Sequence, residues 1–191
     1  MSEPNITNRL RQNLNARLKP EGVQFNRLFL SQGDLQSFWN ENSDDIQSLL
    51  GPQNSSHHQR TRLEADFARI TCILLRIEFL PLKLPRLYEQ LLDPAQQGFK
   101  DEKLPVSLET CEQWLDPIYQ TTFCDEQYNL LEPISIQPSQ IIKHGRHRRL
   151  PFVGEATHIG EGAFGKVIKV KVLTRYLLND DGSSYPEVSV Q

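Results

Sequence analysis

Seven residues behind the last of three closely spaced glycines constrain this chain more than any other stretch. Gly160, Gly162 and Gly165 stand in the spacing G-x-G-x-x-G, which by itself admits a helix or a strand behind it. A dinucleotide-binding loop needs the helix, because pyrophosphate is held on the helix's N-terminal amides. Behind Gly165 stands Lys166-Val167-Ile168-Lys169-Val170-Lys171-Val172, with Lys169 and Lys171 alternating against Ile168, Val170 and Val172. A period of two in β-branched residues predicts a strand. The preceding segment, Phe152 to Ile159, supplies the β-formers Val153, Thr157 and Ile159 and predicts its partner. Two strands around a glycine-rich turn make a hairpin, and bare backbone at such a turn can approach an anion and donate N–H groups to it.

The N-terminal two thirds carry a different period. Leu63, Phe67, Ile70, Leu74 and Ile77 recur at steps of four and three, widened by Ala65, Ala68, Ile73 and Leu75. They predict a long helix over 61–80, with Thr61 and Glu64 as a capping box and Pro81 as its end. A face this broad must be covered, so this helix is expected at the centre of an all-helical domain. Leu84, Leu87, Tyr88, Leu91 and Leu92 predict a second helix across the Pro81–Pro85 corner, able to pack back on the first.

Before them, Ile6, Leu10, Leu14 and Leu18 mark a helix with a narrow apolar stripe, capped by Asn5 or Thr7, that reads as a docking helix rather than a core one. Ser31-Gln32-Gly33-Asp34 offers a cap for a short helix carrying Leu35, Phe38 and Trp39, and Ser43 or Asp44 caps another carrying Ile46, Leu49 and Leu50. Asp44 and Asp45 suit the positive end of that helix dipole better than a metal. Pro52 to Arg60 reads as a polar surface loop and Asp93 to Pro105 as a polar connection. Ser107 opens a helix with Leu108, Cys111, Trp114 and Leu115 that Pro117 kinks or ends, and Ile118, Tyr119, Phe123, Tyr128, Leu130 and Leu131 continue the core supply.

The expected organisation is therefore α+β: an all-helical domain over 5–131, a proline-containing linker over 132–150, and the hairpin segment over 151–191. The linker holds the cationic run Lys143-His144-Gly145-Arg146-His147-Arg148-Arg149. Nucleic-acid binding is not the expected use of that run, since it lacks interleaved aromatics and the whole chain carries a net charge of −3. Cys72, Cys111 and Cys124 form no C-x-x-C and suit a reducing compartment as buried or idle thiols. Met1-Ser2-Glu3-Pro4-Asn5 is not the start of a secretory signal, and no apolar run is long enough to span a bilayer. A cytoplasmic or nuclear setting, with no membrane partner, is the expectation.

Ile159, Gly160, Gly162, Phe164, Gly165 and Val167 together resemble the glycine-rich loop of the protein kinase family, G-x-G-x-x-G-x-V, including the aromatic before the third glycine. The resemblance implies a small lobe of two to three antiparallel strands, the third over Glu187 to Val190. It implies ATP as ligand with magnesium as companion ion, held along Ile159, Gly160, Glu161, Gly162, Ala163, Phe164, Gly165, Lys166 and Val167. Val167 would sit over the adenine and Phe164 would be the loop tip that folds across the phosphates. Other working parts of a serine/threonine-type kinase have no counterpart in the sequence. The segment Pro186 to Gln191 either ends too soon for the strand lysine or carries Gln191 in its place, and there is no H-R-D-x-x-x-x-N, D-F-G or A-P-E. The implied activity is thus ATP binding by an incomplete small lobe, with no catalytic residue, no metal ligand and no transferase activity of its own. The alternative expectation is a non-enzymatic module whose helical domain docks a protein partner and whose hairpin is passive.

Overall fold

The apolar spacing that predicts a central helix is realised in α3, His57–Arg76, which ends at the Ile77 cap short of the expected residue 80 and in which Phe67 to Leu75 is buried at every position. A computed structural model describes residues 3–20, 28–51, 56–79, 83–92, 99–137, 150–163, 165–179 and 181–183. It is an α+β protein whose chain divides into two compact units, one of Met1–Leu18 and Leu30–Leu131, the other of Lys19–Phe29 and Glu132–Gln191.

In the first unit, α1 is Glu3–Arg17, α2 is Gln32–Leu50, α4 is Leu84–Leu92, α5 is Leu108–Glu112 and α6 is Pro117–Leu130. Helix α3 begins four residues before the expected capping box, because the cap is Ser56, whose hydroxyl accepts the N–H of Gln59 at 3.3 Å. Residues 57–60 are thus helix rather than loop, and Thr61 lies inside α3. Asn5 and Thr7 likewise fall inside α1 instead of capping it. Nor is α1 a peripheral helix. Leu10 and Leu14 are wholly buried, and polar pairs flank the narrow stripe, Arg9 Nε on Asp45 at 2.9 Å and Asn13 Nδ2 on Asn42 Oδ1 at 2.9 Å.

The two short helices expected over 34–50 are one helix bent at Asn42, with φ −118° and ψ 15°, where the side-chain amide donates to the Phe38 carbonyl at 2.8 Å. Tyr88 of α4 packs back on α3, edge-on to Phe67 at 6.3 Å and hydrogen-bonded to Thr71. Pro117 starts α6 at its first turn, where its missing N–H is no loss. Phe99 stacks on Trp114 at 6.0 Å and packs at a tilt against Phe123 at 5.6 Å, so these aromatics fill core.

Inside the segment expected as a polar connection, Asp101 has a structural role. Helix α3 bends at Phe67, with φ −137° and ψ 16°, and the carboxylate of Asp101 accepts the N–H groups of Arg69 at 2.7 Å and Ile70 at 2.9 Å. It acts as a cap supplied from 32 residues away for the second half of α3. The Arg69 guanidinium, also buried, donates to the Leu130 carbonyl at the end of α6 and to Gln32 Oε1 at 2.7 Å.

Burial pushes the Asp101 carboxyl up from 3.8 to about 6, against the two N–H donors and Arg69, which pull it down. A carboxyl with a raised folded-state value favours folding below about pH 4 and loses that contribution as pH rises through about 6. Wild type should therefore lose ground to Asp101→Asn between pH 4 and 7, by as much as about 2–3 kcal/mol in urea unfolding. A gap independent of pH would show that the carboxyl is not desolvated.

In the second unit, β1 (Lys19–Pro20) pairs antiparallel with β2 (Leu28–Phe29). The hairpin strands are β3, Phe152–Gly162, and β4, Gly165–Val172, also antiparallel. Glu132–Gln137, read from sequence as the start of a linker, is tied to the segment after β4. Ile136 N–H donates to the Tyr176 carbonyl at 2.7 Å and Leu178 N–H to the Ile136 carbonyl at 2.9 Å. Tyr176 is buried and its hydroxyl donates to Glu132 Oε1 at 3.3 Å. Burial, and then the Glu132 carboxylate, raise its phenol to about 12. The cationic run 143–149 and the expected third strand over 187–190 lie outside the described residues, and no described helix is long and apolar enough to cross a membrane.

Candidate functional site

Alternation of β-branched residues and lysines puts β4 in the extended conformation from Gly165 onward, with strand and not helix behind the third glycine. Gly162 pairs with Gly165, Glu161 with Lys166 and Gly160 with Val167, so two residues, 163 and 164, separate the last paired positions. Ala163 is exposed, and Phe164 lies outside the described residues.

The three glycines are not equivalent. Gly165 has φ +148°, a backbone that residues with a Cβ adopt only under strain. Gly160 and Gly162 have no such positive φ, and a Cβ placed on either meets nothing within 4 Å. Neither backbone conformation nor packing within the described chain requires glycine at those two positions. Glycine inside a strand is less favourable than alanine by about 0.5–1 kcal/mol, and its use there often marks a bulge or close approach by a ligand or another backbone.

A bulge does adjoin Gly160. Between the pairs His158–Ile168 and Gly160–Val167 the register slips, leaving Ile159 without a cross-strand partner. Ile159 is 63% exposed and Val167 58%, two large apolar side chains left open beside the glycines. Lys166 and Glu161 face each other with Nζ and Oε1 3.9 Å apart, both exposed, a pair worth little in water. Lys169 and Lys171 are exposed further along β4.

The structure thus gathers eight of the nine expected site residues at one end of one hairpin. It adds the bulge at Ile159, which strict alternation in the sequence does not reveal. Among the described residues no group of three His, Cys, Asp or Glu side chains is placed to hold a metal ion. No family model, no curated protein and no solved structure matches this chain.

Proposed function

We propose that the β3–β4 hairpin binds the phosphates of a nucleotide, ATP with magnesium, in the manner of the protein kinase glycine-rich loop it resembles. The observation that carries this reading is the pair Gly160 and Gly162, where neither a positive φ nor packing among the described residues requires glycine. Side-chain-free backbone at an exposed hairpin end suits phosphate oxygens, which need close approach to N–H groups. Ile159 and Val167, open and apolar, suit the flat face of a purine beside it. Lys166 adds positive charge next to the turn. These residues bind and do not transfer: neither a general base nor a metal-ligand set accompanies the hairpin in the sequence, so phosphoryl transfer is not assigned to it.

Titration calorimetry of the full chain with magnesium ATP tests the proposal. Saturable heat is expected, and ligand at 100 times its dissociation constant should stabilise the hairpin unit by about 2.7 kcal/mol. No heat and no thermal shift at millimolar nucleotide would overturn it. That outcome would favour the second reading, a helical interaction module with a passive hairpin. Its support is the exposure of Ile118 at 78% and Leu108 at 43%, at the openings of α6 and α5.

A further inference from the structure

We infer that Cys111 and Cys124 form a reversible dithiol site, oxidised to an intramolecular disulfide by low-molecular-weight disulfides of the glutathione class. The two thiols belong to successive elements, α5 and α6, that turn back on each other at Asp116-Pro117. Their Sγ atoms stand 3.2 Å apart, as free thiols. A disulfide bond needs about 2.05 Å between sulfurs, so closure asks for roughly an ångström of movement in side chains already in contact. The dithiol is independent of nucleotide binding.

The geometry also orders the steps. Cys124 is half-buried and reachable, whereas Cys111 is wholly buried. Burial, reinforced by the neighbouring sulfur, pushes the Cys111 thiol up and keeps it protonated. Cys124 as thiolate attacks one sulfur of oxidised glutathione. The sulfur–sulfur bond breaks, a mixed disulfide forms on Cys124, and one glutathione thiolate leaves to take up the proton that Cys124 released. Cys111 then attacks the Cys124 sulfur, its proton passing to the second departing glutathione. Two protein thiols are oxidised and one small disulfide is reduced to two thiols, so electrons and protons balance.

Cys72 is the internal control. It is fully buried, with no sulfur partner, and its thiol is likewise raised by burial. The new bond would cross-link the ends of the segment that holds Trp114, Leu115 and Asp116, one wall of a groove whose other side is Phe79, Lys83 and Arg86.

The experiment equilibrates the full chain in glutathione buffers of rising oxidised fraction, then alkylates it under denaturing conditions and maps the peptides by mass. The expected product is a Cys111–Cys124 linked peptide, reversed by dithiothreitol and at least tenfold more abundant than any linkage to Cys72. In Cys111→Ser, Cys124 should stop as the glutathione adduct. A lasting adduct on wild-type Cys124, full alkylation of both thiols at saturating oxidised glutathione, or linkage chiefly to Cys72 would each overturn the inference. The wild-type map decides the matter even where Cys111→Ser fails to fold.

Discussion

Asp101→Ala is expected to destabilise the helical unit by about 3 kcal/mol at pH 5, lowering its melting temperature by roughly 10 °C. The loss comes from two groups at once. The N–H groups of Arg69 and Ile70, left without acceptors by the bend at Phe67, would have no partner. Each buried, unpaired donor costs about 1–3 kcal/mol, and the alanine methyl repays none of it. Asp101→Asn keeps one acceptor oxygen and should lose about half as much. Because burial disfavours the ionised carboxyl, the penalty of either substitution shrinks toward neutral pH. Chemical denaturation of both variants at pH 5 and pH 7 is the measurement. An alanine variant as stable as wild type would mean that the second half of α3 does not depend on this external cap.

The second large effect separates binding from folding. Gly160→Val and Gly162→Val should each weaken magnesium ATP binding at least tenfold, about 1.4 kcal/mol, because the side chains would occupy the approach to the hairpin backbone. Neither should destabilise the chain. The added Cβ atoms meet nothing within 4 Å, and valine suits a strand better than glycine by roughly 1 kcal/mol, so stability should hold or rise. Gly165→Ala should behave in the opposite way, losing upward of about 1 kcal/mol of stability through strain at φ +148°. Calorimetric titration paired with thermal unfolding reads both properties. Unchanged affinity in both valine variants would remove the ligand explanation for these glycines.

Local patterns in the sequence are good guides wherever one element decides its own form. Helix α4, Leu84–Leu92, coincides with its apolar spacing, and β4 with its alternation. Periodicity misplaces the start of α3 because His57-His58-Gln59-Arg60 carries no apolar residue, although Ser56 three residues before Gln59 is a capping signal present in the sequence. The features that escape altogether depend on residues far apart in sequence. Asp101 reaches α3 only because the helix bends at Phe67, Glu132 meets Tyr176 from 44 residues away, and Cys111 touches Cys124 only once Pro117 has turned the chain. At the hairpin, residue types and order are legible, but the slip at Ile159 is not, since a bulge leaves the composition of a strand unchanged.

The hairpin is also fastened unevenly. At its root, Leu173 N–H donates to the Pro151 carbonyl at 3.0 Å, and Ile136 stitches the segment just beyond. Toward the turn, β3 and β4 are largely open to solvent, and the ladder is interrupted at Ile159. A second irregularity lies nearer the root, between Val153 and Thr157, so the ladder is broken twice, and the pairs Thr157–Lys169 and His158–Ile168 form a short rung section between two places where the strands can bend.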